Sequence, residues 1–239
     1  MTDLPVAQVS FRLGGVLAKS LHVVGRHPVA FLAVNLLASL PVIVIMIATG
    51  DVPEQRTVLD LITAPISFVL VCLAQAMMIQ GTWRALHGEP FLTRYALSSA
   101  LPRLLPSIGA GILSMVLILT GFVALFIPGL IAICFLYVTL PACAVEGKGA
   151  VESMERSGEL TKGYRLTILV VFALTNIPAL VTSAGLGDFR TLSPIWDACD
   201  EAVSLLFLGF NAVLSAVCFA GLRRIKDSDV TSNVAPKFD

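Results

Sequence analysis

Long apolar stretches alternate with short charged stretches along most of this chain. Four apolar stretches stand out, at residues 29–49, 61–80, 166–186 and 202–222. A helix of about 20 apolar residues crosses the ~30 Å hydrocarbon core of a bilayer. The pattern therefore predicts four membrane-spanning helices, separated by polar segments that lie in water or at the membrane surface.

A fifth apolar stretch, residues 104–145, contains no charged residue and is too long for one span. As a single helix rising ~1.5 Å per residue it would extend about 60 Å, twice the thickness of the core. We expect the break at Pro128 and Gly129, because proline removes a helical hydrogen bond and glycine tolerates the backbone angles of a tight turn. The sequence thus predicts an all-α polytopic membrane protein with six transmembrane helices arranged as three hairpins. The predicted spans are about 29–49, 61–80, 104–127, 130–145, 166–186 and 202–222.

The segments before the three hairpins mix apolar and cationic residues. They cover about 8–28, 82–104 and 148–165, and a mixed composition of this kind is typical of helices that lie in the membrane interface. The chain is accordingly divided into a cytoplasmic amphipathic N-terminal segment (1–28), a six-helix transmembrane domain (29–222) and a cytoplasmic polar tail (223–239).

Composition strengthens the membrane prediction. Hydrophobic residues make up 56% of the chain and charged residues only 13%, against roughly 25% charged in soluble domains. The formal net charge is zero and no long basic run occurs. A nucleic-acid partner is not expected, because phosphate binding needs lysine and arginine gathered on one face.

The cations are distributed unevenly between the two sides of the predicted bundle. Fourteen of the sixteen lysine and arginine residues fall in the N-terminal arm, in residues 81–103, in residues 146–165 and in the tail, while Arg56 and Arg190 fall on the opposite side. Cytoplasmic loops of membrane proteins carry such an excess. Both termini are therefore expected in the cytoplasm.

The predicted spans contain no ionisable residue that would suggest coupling to protons or ions. Their buried polar residues are Asn35, Gln75, Asn176 and Asn211. Hydrogen bonding between helices is the favoured interpretation, with a ligand role as the alternative. Asn176 is expected to satisfy the carbonyl of Leu174 that Pro178 frees. Prolines also lie in or beside five spans, where they are either tolerated by neighbouring helices or create broken helices of the transporter type.

No set of residues suggests catalysis. The histidines, His22, His27 and His87, have no nucleophile and orienting group at recognisable spacing. The five cysteines are expected to be small buried hydrophobes, since no CxxC pair is present; they are Cys72, Cys134, Cys143, Cys199 and Cys218. No enzymatic activity, cofactor or metal is therefore expected.

Residues 146–165 carry eight charged side chains among twenty, in a chain with only 32 such residues. Glu152 and Arg156 are four residues apart, and Glu159 and Lys162 are three apart, which are spacings that support an exposed helix. The expected apolar edge consists of Ala150, Val151 and Met154. A short solvated helix on the cytoplasmic surface, ending near Gly163, is the prediction.

Three sequence stretches together resemble a known family. They are FIPG at 126–129, LPACAVEGKGA at 140–150 and ERSGELTKGYR at 155–165. The succession is similar to the membrane domain fused to some bacterial glycerophosphoryl diester phosphodiesterases, and to related stand-alone bacterial inner-membrane proteins. That family commonly has tryptophan where this chain has Gly158. The resemblance implies a multi-pass protein of the bacterial inner membrane, without the separate barrel domain that carries the phosphodiesterase activity.

The resemblance also indicates which positions are candidates for architectural, lipid-binding or partner-binding roles. They are Pro128, Gly129, Glu146, Gly147, Arg156, Ser157, Lys162 and Gly163. Arg156 and Lys162 are expected to meet anionic headgroups of membrane lipids. The predicted function is a non-enzymatic module that interacts with lipids or with another membrane protein. The alternative is a permease or channel for a small or amphiphilic solute, with Asn176 and Asn211 as a neutral polar site.

Overall fold

The computed structural model describes residues 13–49, 53–187 and 194–234. In these ranges the chain is helical throughout and contains no strand. The helices are α1 (Leu13–Arg26), α2 (Pro28–Thr49), α3 (Pro53–Leu86), α4 (Thr93–Ala100), α5 (Leu104–Ala124), α6 (Phe126–Leu136), α7 (Thr139–Glu146), α8 (Ala150–Thr161), α9 (Arg165–Gly187) and α10 (Pro194–Val234). The prediction of an all-α protein is confirmed.

Proline and glycine set several of the helix ends. Proline is the first residue of α2, α3 and α10, where its fixed φ suits the helix and its missing N–H is not needed. Glycines with positive φ follow α3, α7 and α8, namely Gly88, Gly147 and Gly163. A left-handed glycine lets the chain leave a helix while its last carbonyls remain hydrogen-bonded.

Helices α3 and α10 form the centre of the bundle. They pack against each other; α2 packs on both, α1 and α9 pack mainly on α10, and α4, α5 and α7 pack on α3. The fully buried side chains at this centre include Met77 and Ile79 of α3 and Leu214 and Phe219 of α10. The ends of α3 and α10 therefore determine where the surface sites of the bundle lie.

Four helical segments are long and apolar enough to cross a membrane. They are Thr63–Leu86, Thr93–Ala124, Phe126–Glu146 and Val203–Asp227. A fifth span results if α1 and Pro28–Leu40, which meet at an angle of 88°, are counted together. The described residues are thus compatible with a multi-pass membrane protein of four to five spans.

The break in the long apolar stretch differs from the prediction. It falls at Leu125, whose φ of −168° and ψ of 150° are extended, and Pro128 is the third residue of the helix that follows. Gly129 is helical and forms no turn. A Cβ at Gly129 would lie 2.5 Å from the ring of Phe122, and one at Gly121 would lie 3.0 Å from the backbone of Gly129. Both glycines therefore permit the close approach of α5 and α6.

Other predicted boundaries also change. Helix α3 continues to Leu86, so Trp83 and Arg84 lie on a spanning helix and not in a separate interfacial segment. Helix α10 continues to Val234, so the predicted polar tail is largely helical. Helices α3 and α9 run through Pro65 and Pro178 without interruption, because packed membrane helices tolerate proline where neighbours satisfy the freed carbonyl.

Candidate functional site

Helix α8 is docked on the bundle by one side of the helix. Ser157 Oγ donates a hydrogen bond of 2.6 Å to the carbonyl of Phe135. A Cβ at Gly158 would overlap the ring of Phe135, so glycine lets this ring pack directly on the backbone of α8. The predicted apolar edge is corrected, because Val151 is 59% exposed. The buried residues are Ser153, Met154, Ser157, Gly158, Leu160 and Thr161.

A network of ion pairs connects the ends of α7 and α10 to α8. Only 10% of the side chain of Glu146 is exposed, and its carboxylate lies 3.1 Å from Lys148 Nζ, 3.4 Å from Arg156 Nε and 3.8 Å from Arg223 Nε. Arg156 Nη2 also lies 3.1 Å from Asp227 Oδ1. Glu146 and Asp227 therefore hold α8 against the end of α10.

Arg156 does not form the ion pair that its spacing suggested. Its third partner is Glu159, at 3.7 Å, and not Glu152. Burial lowers the pKa of the guanidinium, but the hydrogen bond with Asp227 and the charge of Glu146 outweigh this and raise the pKa above its ordinary value. Arg156 is therefore permanently charged and already neutralised by protein carboxylates, whereas Lys162 is exposed.

Two side chains cap the end of α7, where the sequence offered no signal for them. Gln80 Nε2 and Arg103 Nη1 both donate hydrogen bonds to the carbonyl of Ala144. Gly147 ends the helix with a φ of +69°, and its N–H donates to the carbonyl of Cys143 at 3.1 Å. Carbonyls at a helix C-terminus have no partner within the helix, so these donors fix the position from which Glu146 projects.

Two of the four predicted intramembrane polar residues come together between α9 and α10. Asn211 Nδ2 donates to Asn176 Oδ1 at 3.4 Å, and Tyr137 Oη of the α6–α7 junction donates to Asn211 Oδ1 at 2.9 Å. Asn176 Nδ2 donates to the carbonyl of Phe172 at 2.8 Å, not to that of Leu174. The result is a chain of hydrogen bonds that joins three helical segments. The sequence did not predict that Tyr137 takes part in it.

Asn35 and Gln75 lie together at another place in the bundle. Asn35 Nδ2 donates to the carbonyl of Phe31 at 2.8 Å, and a Cβ at Gly209 would lie 2.5 Å from Asn35 Oδ1. Both polar residues border a cavity of about 10 Å³, close to the smallest volume that holds one water molecule. This site suits helix packing and at most a water.

An open groove of about 800 Å³ lies between α1 and the ends of α3 and α10. We call it the α1–α10 groove. It is lined by Gly15, Val16, Lys19, Trp83, Leu86, His87, Val217, Ala220, Gly221, Arg223, Arg224, Ile225 and Asp227. The groove combines apolar walls with cationic side chains, and the sequence did not predict it because its three helices are far apart in the chain.

Cations stack on aromatic rings at this end of the bundle. The guanidinium carbon of Arg223 lies 5.5 Å from the ring centre of Trp83 in the α1–α10 groove. The corresponding distance from Arg84 to Tyr95 is 3.7 Å. Such pairs stabilise a cation beside an apolar surface, and tryptophan and tyrosine are enriched at membrane interfaces.

Cysteine and histidine residues supply no further site. Cys134, Cys143 and Cys218 are buried and Cys72 is half-buried, in agreement with the prediction, while the side chain of Cys199 lies outside the described residues. Among the residues that the structure describes, His, Cys, Asp and Glu side chains form no group of three that could hold a metal ion.

Sequence comparison assigns the chain to a family. The family described as a domain of unknown function, DUF7847, matches residues 91–222, more than half of the 239 residues. The chain belongs to the DUF7847 family. No curated protein and no solved structure matches it. The DUF7847 match includes all eight positions singled out from the sequence motifs, and it does not itself establish the phosphodiesterase-linked membrane domain.

Proposed function

We propose that this DUF7847 protein is a non-enzymatic, multi-pass membrane module that binds anionic phospholipids at the charged end of its bundle. This is the end at which α3, α7 and α10 finish their apolar segments and α5 and α9 begin. The proposal includes six spans, with this end and both termini in the cytoplasm of a bacterial cell, as the charge distribution and the resemblance to the phosphodiesterase-linked membrane domain suggest.

One observation carries the proposal: ion pairing inside the protein leaves many cations at this end without a carboxylate. Among the side chains that the structure describes at this end, the cations without an ion-pair partner are Lys19, Arg26, Arg94, Arg103, Lys162, Arg165, Arg224 and Lys226, of which Arg103 donates a hydrogen bond to the carbonyl of Ala144. Each cation near an anionic membrane surface contributes ~1 kcal/mol to binding. Arg156, in contrast, is held by Glu146 and Asp227, so its role is structural.

Native mass spectrometry of the protein extracted gently from its own membrane tests the proposal. We expect retained anionic phospholipid, and in mixed nanodiscs we expect enrichment of phosphatidylglycerol over phosphatidylcholine around the protein. The enrichment should fall between 0.1 M and 1 M salt, because the Debye length falls from ~10 Å to ~3 Å. Equal retention of the zwitterionic and anionic lipids would contradict the proposal.

A solute permease is the second candidate, and the hydrogen-bonded chain of Tyr137, Asn211 and Asn176 favours it. In this alternative the neutral polar side chains of this hydrogen-bonded chain bind the polar part of an amphiphilic solute. In that case Asn211→Leu should abolish uptake of the solute into reconstituted vesicles, while Asn35→Leu, at the separate packing site, should leave uptake intact. Equal uptake by wild type and Asn211→Leu would reject the permease.

A further inference from the structure

We infer that the α1–α10 groove is a specific site for the headgroup end of one anionic glycerophospholipid. This inference rests on the proposed function, since it names the place and the ligand class within a surface that attracts anionic lipid in general. Three properties of the groove carry it: its depth in the membrane, its charge and its apolar walls.

The groove lies at the level where lipid headgroups are found. The candidate span within α3, Thr63–Leu86, ends at Leu86, and the candidate span within α10, Val203–Asp227, ends at Asp227. Both end residues line the groove. A site between the last turns of two spanning helices faces the border of the hydrocarbon core. The headgroup of a bilayer lipid therefore lies at the same level as the groove.

The charges of the groove favour an anion that carries a phosphate. Lys19 and Arg224 line it, and neither has an ion-pair partner among the described residues. Arg223 is oriented by Asp227, at 3.3 Å, and by the ring of Trp83. Among the described residues, Asp227 is the one carboxylate that lines the groove, so this described lining has an excess of positive charge. Arginine and lysine both recognise phosphate by charge-assisted hydrogen bonds.

The walls of the groove suit the glycerol and the first part of the acyl chains. Val16, Leu86, Val217 and Ala220 provide apolar surface beside the cations. The volume of about 800 Å³ is within the range of ~300–1,000 Å³ typical of small-molecule sites. A soluble phosphate ester would leave these walls exposed to water, so a lipid is the better chemical match.

Trp83 provides a direct probe of occupancy. The chain has two tryptophans, so the variant Trp196→Phe leaves Trp83 as the single indole. Phosphatidylglycerol brominated on the first carbons of its acyl chains, the part that the groove would hold, is titrated into this variant in detergent micelles or nanodiscs, since bromine quenches an indole that it contacts. We expect saturable quenching that brominated phosphatidylcholine does not reproduce at the same concentration.

Two matched pairs of variants locate the site. Gly15 lines the groove and Gly14 does not, and a Cβ at either position meets open space. The leucine of Gly15→Leu should therefore fill part of the groove and block quenching, whereas Gly14→Leu should leave quenching unchanged. The double variant of Lys19→Gln and Arg224→Gln should weaken binding about thirtyfold, because each interfacial cation contributes ~1 kcal/mol and 1.4 kcal/mol corresponds to about tenfold in affinity. Arg94→Gln with Lys162→Gln removes the same charge outside the groove and should weaken binding in the groove less than threefold, because neither side chain lines it.

The outcomes separate this inference from the proposed function. If anionic lipid binds but Gly15→Leu leaves the quenching unchanged, or both charge pairs weaken it equally, the groove is not the site and the proposed function stands. If brominated phosphatidylcholine quenches as strongly as brominated phosphatidylglycerol, both fail. Displacement of the brominated lipid by an equal concentration of glycerol 3-phosphate would assign the groove to a soluble ester and overturn the lipid inference.

Discussion

At the scale of single residues, Glu146 is the carboxylate of the charged segment 146–165 that forms the most ion pairs with the rest of the bundle. Glu146 is nearly buried and lies within 4 Å of three cations, while Glu152, six residues later, is exposed. A buried carboxylate needs paired charges to offset its lost hydration. The same residue type therefore has a structural role at position 146 and no comparable role at position 152.

Removing the charge of Glu146 should destabilise the docking of α8. We expect Glu146→Gln to lower the free energy of unfolding by about 1–3 kcal/mol, since Arg156 and Lys148 lose a shared partner. Glu152→Gln is the matched control and should change it by less than about 0.5 kcal/mol. Reversible unfolding in mixed micelles measures both changes, and equal effects would contradict the assigned role of Glu146.

Gly158 should resist substitution because of its contact with Phe135. Gly158→Ala places a methyl group where the ring already lies and should destabilise the protein by about 1–3 kcal/mol through overpacking. The double variant with Phe135→Leu should recover part of this loss. Gly111→Ala, on α5, where a Cβ meets open space, should instead stabilise by up to about 1 kcal/mol. The melting temperatures of the three variants, compared with that of the wild type, test these expected stability changes.

At the scale of elements, the hairpin of α5 and α6 depends on an extended residue and on close backbone packing. Leu125 provides the break, while Gly121 and Gly129 let the two helices approach. Pro128 lies in the first turn of α6, where helical N–H groups have no partner within the helix. Its contribution is therefore to start α6 and not to break the long apolar stretch.

Substitutions in this hairpin should follow that division of roles. Pro128→Ala should change the free energy of unfolding by about 1 kcal/mol or less, because no helical hydrogen bond depends on the missing N–H. Gly121→Ala should cost about 1–3 kcal/mol, since the backbone of Gly129 cannot move aside cheaply. If Pro128→Ala lowered the free energy of unfolding more than Gly121→Ala did, Pro128 would be the residue that breaks the long apolar stretch.

At the scale of the whole molecule, ion pairs and the α1–α10 groove place α1, α8 and the end of α10 on one face. Asp227 contacts Arg156 of α8 and also lines the groove that contains Lys19 of α1. Segments that are more than 60 residues apart in the sequence therefore share one charged end. Any lipid or partner at this end meets all three segments.

Site-directed labelling should place this end on the cytoplasmic side. In a chain whose five cysteines are replaced by alanine, Lys19→Cys, Lys162→Cys and Arg224→Cys should react with a membrane-impermeant maleimide in inside-out vesicles only. Arg190→Cys, which lies outside the described residues, should react in right-side-out vesicles. Labelling of the first three positions from different sides would contradict the shared face.

The sequence by itself determined the helical class, the presence of apolar helices long enough to span a membrane, the helix after Gly149 and the burial of Cys134, Cys143 and Cys218. These properties follow from the composition of the chain and from the length and periodicity of its hydrophobic stretches. The number of six spans and the orientation stay predictions.

Only the tertiary structure decided which side chains meet. The pairing of Asn176 with Asn211 and Tyr137, the neutralisation of Arg156, the capping of α7 by Gln80 and Arg103, and the α1–α10 groove all join residues on separate helices. Local periodicity shows which face of a helix is apolar, but not which other helix covers it, because packing depends on the shape of the whole bundle. For the same reason the sequence predicts Gly129 as a turn residue, whereas in the folded chain it is the contact point of two helices.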